Sequence, residues 1–183
     1  MLNELEAVLV MVDFQGKLAQ IVDRSELVVP NALRLVKGCQ ALAVPILATA
    51  QVPEKLGPIL EELKEPLNGV DIIAKSHFSA LREPDFMLAL EETKRRQVIL
   101  TGIEAHVCVL QTGFDLLDSR FQVHVLSDGI FSRRSENHQL ALKRLQERGA
   151  TLSSVEIALF EMVRTSKHPA FKTISKLVKY ASF

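Results

Sequence analysis

The chain is short of several things, and each shortage closes a class of function. Its 183 residues contain two cysteines, Cys39 and Cys108. That is too few for a disulfide scaffold or a four-cysteine zinc site, and it fits a reducing compartment. Net charge is absent as well, because 22 basic residues balance 22 acidic ones. Nothing global therefore recruits a nucleic acid or an anionic membrane. No apolar run approaches the length of a bilayer span. Residues Met1 to Glu6 carry acids where a secretion signal carries bases. No closely spaced His/Asp cluster, Cys-x-x-Cys pair, Gly-x-Gly-x-x-Gly or phosphate-loop pattern is present, so no metal or nucleotide cofactor is expected. These readings predict a cytoplasmic protein without a membrane partner.

What remains is ordinary globular material, 48% hydrophobic and 24% charged, enough for one domain spanning 1–183. Short aliphatic runs alternate with amphipathic ones. Strands are expected at Ala7 to Val12, Pro45 to Thr49, Val70 to Ala74, Gln97 to Thr101, Gln122 to Ser127 and Thr151 to Val155. Helices are expected at Val29 to Leu42, Pro84 to Arg95, His106 to Ser119 and Glu136 to Arg148, with Gly38 blurring the end of the first. Continuous apolar strands joined by helical crossovers predict an α/β sandwich around a parallel sheet. After Glu161 the chain has no acid but five bases, of which Lys172, Lys176 and Lys179 share one helical face. A solvated face of a docked terminal helix accounts for them most simply; an anion- or RNA-binding helix is the functional alternative.

In such sheets, ligands sit beyond the carboxyl ends of the strands. Three reactive side chains fall there: Asp13 after the first strand, Lys75 after the third, and Cys108 after the fourth. Taken singly, each has a bland explanation as a turn residue, a solvated lysine or a buried thiol. Taken together they supply a nucleophile, a base and a cation. Cys108 is expected in the first turn of a helix, where free amides and the helix dipole favour a thiolate at neutral pH. Histidine is the usual base for a thiol, but His106 lies about 200° around a helix from Cys108. His77, His124, His138 and His168 are no better placed than Asp13, so a Cys–His dyad is the weaker mechanism.

The segments Val12-Asp13-Phe14-Gln15, Lys75, Gly102 through Cys108-Val109, Ser127-Asp128-Gly129 and Ser132-Arg133 resemble the isochorismatase-like cysteine hydrolases, which include nicotinamidases and N-carbamoylsarcosine amidohydrolases. Thr49-Ala50-Gln51-Val52-Pro53, Leu56-Gly57 and His168 to Lys172 point to the branch of isochorismatase domain-containing proteins. The resemblance implies a three-layer, Rossmann-like α/β/α sandwich with six parallel strands. It also implies an Asp13–Lys75–Cys108 triad and a cis peptide at Ile103–Glu104. That peptide would turn the Glu104 amide beside the Cys108 amide to form an oxyanion hole. Phe14 and Phe78 are the candidate substrate-binding walls.

Three departures qualify the resemblance. Thr49 to Leu56 offers no histidine for a nicotinamidase-type metal site, Ala105 stands where many relatives have threonine, and Cys108 argues against isochorismate itself as substrate. The expected function is metal-independent hydrolysis of a small-molecule amide through a thioester. Self-association as a dimer, tetramer or larger assembly is also expected. The alternative is a low-activity homo-oligomeric scaffold of the same fold, with an RNA-associated role as a weaker third.

Overall fold

The computed structural model describes residues 1–179. Six strands, β1 (Ala7–Val12), β2 (Ile46–Gln51), β3 (Ile72–Lys75), β4 (Gln97–Ile103), β5 (Gln122–Phe131) and β6 (Thr151–Ser153), form one sheet in the order β3-β2-β1-β4-β5-β6. All neighbouring pairs are parallel. Helices of nine or more residues cover it: α1 (Val28–Ala41), α2 (Pro84–Glu92), α3 (Leu110–Asp118), α4 (Ser135–Glu147), α5 (Val155–Val163) and α6 (Phe171–Lys179).

The pure aliphatic character of β1 follows from burial on both faces. Ala7, Leu9 and Met11 join the core beneath α1, α5 and α6, while Val8, Val10 and Val12 join the core beneath α2, α3 and α4. Those alternating contacts are the period of two of an extended strand. Gly38 does not end α1. It lets α5 approach, since a Cβ there would lie 2.4 Å from a methyl of Leu159.

Strand order reverses between β1 and β4, and this is where the site lies. Gly102 makes the junction possible. Its φ is +146°, and a Cβ would fall 2.3 Å from the Val12 carbonyl oxygen. Just before it β4 and β5 shift register, from Leu100 opposite Val125 to Gly102 opposite Ile130. β4 and β5 thus run past the ends expected at Thr101 and Ser127. The extra β5 residues begin with Asp128-Gly129, and Asp128 bridges layers: its carbonyl accepts from Asn31 Nδ2 at 2.6 Å, and its Oδ1 accepts from Val155 N at 2.9 Å. The latter contact, with Ser154 Oγ accepting from Ile157 N, starts α5 at Val155. β6 therefore stops at Ser153 instead of Val155.

Candidate active site

Asp13 leaves β1 in the left-handed region, with φ 55°. That conformation is uncommon for a non-glycine residue and is found where a site demands it. Its carboxylate is almost wholly buried. Oδ1 accepts from Thr49 Oγ1 at 2.8 Å, and Oδ2 faces Lys75 Nζ at 2.8 Å. Lys75 ends β3, two strands away, and its ammonium crosses over β2 to make this ion pair. It also donates to Gln51 Oε1 and to the carbonyls of His77 and Phe78 at 3.2 and 3.1 Å. A buried charge pair depends on its remaining hydrogen-bonding capacity being met. Backbone and amide oxygens take up the Lys75 donors, while Asp13 Oδ2 has, among the described residues, the ion pair and no hydrogen bond.

The Cys108 thiol completes the cluster, 3.9 Å from Gln51 Oε1. Two glutamines hold this arrangement, and sequence reasoning gave neither a role. Gln51 donates from Nε2 to the Ser76 carbonyl at 2.8 Å, and its backbone N–H donates to Gln15 Oε1. Gln15 Nε2 donates in turn to the Gln51 and Gly57 carbonyls at 3.0 and 2.8 Å. Both residues lie within the motifs that carried the resemblance, which was the available signal.

Two expectations about Cys108 need correction. It sits in a single π-helical turn, Ala105–Val109, which precedes α3, and not in the first turn of an α-helix. Such wide turns are rare and recur at functional sites. Its thiol is not poised as a thiolate at rest. Burial pushes the pKa up to about 12, the Asp13 carboxylate adds to the rise, and Lys75 opposes it. Desolvation and a neighbouring anion both disfavour a second negative charge. The surroundings thus disfavour a resting thiolate beside the Asp13–Lys75 ion pair.

The Ile103–Glu104 peptide is cis. The Glu104 side chain is anchored by Arg133, whose N–H and Nε donate to Oε1 at 3.1 and 2.9 Å. The Glu104 carbonyl accepts from Val107 N and Val109 N at 3.0 and 3.3 Å, fixing the turn that carries Cys108. His106 Nδ1 lies 3.0 Å from Ser132 Oγ. Two other histidines are engaged elsewhere: His77 pairs with Glu83 at 2.9 Å and His168 with Glu4 at 3.2 Å. His124 and His138 are buried, and burial lowers the pKa of each. Among the described residues, no group of three or more His, Cys, Asp or Glu is placed to hold a metal ion.

The two candidate pocket aromatics separate. Phe14 is 1% exposed and packs in the core beneath α1, so it is no pocket wall; its neighbours are apolar side chains of the core. Phe78 is 52% exposed and lines an open cleft of about 490 Å³ with Ser76, His77, Gln111 and Phe114. That cleft adjoins the loop whose carbonyls hold Lys75.

Known proteins bear out the family resemblance. Isochorismatase domain-containing protein 2 of Danio rerio is 36% identical over 96% of this chain and 88% of its own. The MAR1 ribonuclease of Caenorhabditis elegans superposes with a TM-score of 0.92 at 34% identity, covering 100% of this chain and 94% of that one. The YcaC gene product of Escherichia coli, an octameric hydrolase of unknown specificity, shares the fold with a TM-score of 0.91 at 23% identity, over 96% and 88% of the two chains. Residues 7–157 match the isochorismatase domain, and the chain belongs to that family of α/β hydrolases.

Proposed function

We propose that this protein is a metal-independent cysteine hydrolase of small amides, with Cys108 as nucleophile, Asp13 as proton acceptor and donor, and Lys75 as the charge-balancing partner. The observation that carries the reading is the convergence of a buried Asp13–Lys75 ion pair and the Cys108 thiol around Gln51. As Sγ attacks the amide carbonyl carbon, the thiol proton passes to Asp13. The raised thiol pKa favours a transfer that accompanies attack. Negative charge moves from the carboxylate toward the substrate oxygen, while Lys75 stays close to both. The amides of Glu104 and Cys108 hold the oxyanion, each such donor being worth about 2.7–4 kcal/mol. Collapse breaks the C–N bond, and Asp13 returns the proton to the departing nitrogen. Water, deprotonated by Asp13, then cleaves the Cys108 thioester and releases the carboxylic acid and the thiol.

The cleft beside Phe78 is the entry we assign to substrate. The two free, buried cysteines support a reducing, cytoplasmic setting. Self-association is part of the proposal: Ile157 and Phe160 leave an apolar strip exposed on α5, and the bacterial relative of the same fold is octameric. Acid-quenched intact mass spectrometry during turnover of a small-amide library tests the mechanism. A Cys108-bound acyl adduct, absent from Cys108→Ser, is the expected result. Hydrolysis that persists in Cys108→Ser would contradict it.

A second reading, RNA cleavage, has one specific observation behind it, the name of the nematode relative. The same variant discriminates. RNA cleavage by wild type and not by Cys108→Ser, without hydrolysis of any amide, would replace the amide reading with this one.

A further inference from the structure

The layer away from Cys108 carries a charge asymmetry that the catalytic site does not use. α1 and α6 pack against each other, and neither contains an acidic residue. Between them they carry Arg34, Lys37, Lys172, Lys176 and Lys179. In a chain with 22 basic and 22 acidic residues this is a concentrated local excess. Among the described residues none of the five pairs with a carboxylate. Arg34 Nη1 donates instead to the neutral Asn31 Oδ1 at 2.6 Å.

A groove of about 460 Å³ runs between the two helices. Pro30, Leu33 and Leu177 form its apolar floor, and Arg34, Lys37 and Lys176 rim it. Its size falls within the usual range for small-molecule sites. The cations call for an anion, and the floor calls for an apolar body attached to it. Two larger partners fit less well. A bilayer would need the apolar face of α6, but Ile174 is wholly buried and Leu177 and Val178 pack against the same core. A single-stranded nucleic acid would need aromatic faces for its bases, and among the described residues no aromatic ring lines this groove.

We propose that the α1–α6 groove is a second binding site, for a soluble amphiphilic anion: a short acyl chain ending in a carboxylate or phosphate. The chain lies on Leu33 and Leu177, and the head sits among Arg34, Lys37 and Lys176. This assignment is independent of the chemistry at Cys108.

Calorimetric titration of the whole chain with octanoate and with octyl phosphate tests it, with 1-octanol and inorganic phosphate as half-ligand controls. At least one amphiphile binds one to one, and the controls bind about tenfold more weakly or not at all. In Lys37→Glu/Lys176→Glu the affinity for that amphiphile falls about tenfold, since each rim charge contributes modestly. Both lysines are exposed, so the variant keeps its core, and an unchanged thermal melt checks this. Binding of 1-octanol or phosphate alone as tight as that of the amphiphile overturns the proposal. So does an unaffected charge variant, or binding confined to an oligoribonucleotide or to phosphatidylglycerol vesicles.

Discussion

At the residue scale, the site is a contest between two charges for one thiol. Asp13 raises the Cys108 pKa and Lys75 lowers it, with burial the largest contribution. Replacing Asp13 by asparagine removes an anion and leaves the lysine. The Cys108 pKa then falls, and alkylation at a fixed neutral pH speeds up. Under the proposed mechanism hydrolysis goes the other way, dropping by about 10²–10⁴-fold, because Asp13 is its proton acceptor. A merely structural Asp13 would not give opposite signs in these two assays. Asp13, Lys75 and Cys108 were legible in the sequence because strand ends are easily read and their residue types are chemically loaded. Gln15, Thr49 and Gln51 were not, because an amide or hydroxyl acquires its role only from partners 24 to 57 positions away. The rise of the Cys108 pKa is not legible for the same reason: the helix-dipole argument is local, whereas the opposing carboxylate and the burial are not.

At the scale of elements, the two central strands are legible and their extensions are not. β1 and the first half of β4 announce themselves by unbroken aliphatic sequence. The end of β4 contains glycine, and the added part of β5 opens with Asp128-Gly129, a composition that reads as a turn. Tertiary partners override it, with Asn31 and Val155 taking up the Asp128 oxygens. α5 went unpredicted because most of its residues are apolar, which leaves no periodic contrast to detect. Gly102 is the point on which these elements depend. Gly102→Ala places a Cβ against the Val12 carbonyl at an unfavourable φ. The variant should lose about 2–3 kcal/mol of stability, read from the denaturation midpoint. An unchanged midpoint would mean that β1 and β4 can separate without cost.

At the scale of the whole molecule, two buried histidines link stability to pH. His124 on β5 and His138 on α4 are both held below their ordinary pKa, chiefly by burial. The folded state therefore prefers them neutral, while the unfolded chain takes up protons near pH 6.5. Where the unfolded state binds more protons, stability rises with pH. Stability is thus intact above about pH 6.5 and declines as the pH falls through that value. Urea midpoints at pH 7.5 and 5.5 measure the decline, and His124→Gln/His138→Gln should shrink it. An equal decline in the double variant would assign it to other groups. The layered architecture itself was legible from alternation alone, because every strand that builds the centre must be apolar on both faces.

The most direct test of the coupled Asp13–Lys75–Cys108 site needs no substrate: the rate of Cys108 alkylation by iodoacetamide against pH, followed by mass spectrometry. Wild type should label slowly at neutral pH and climb without a plateau to pH 10, as a thiol pushed up to about 12 requires. Asp13→Asn should shift the profile to lower pH, and Lys75→Gln, folded by circular dichroism, to higher pH. A plateau governed by an ordinary thiol pKa near 8.5, indifferent to both substitutions, would contradict the account.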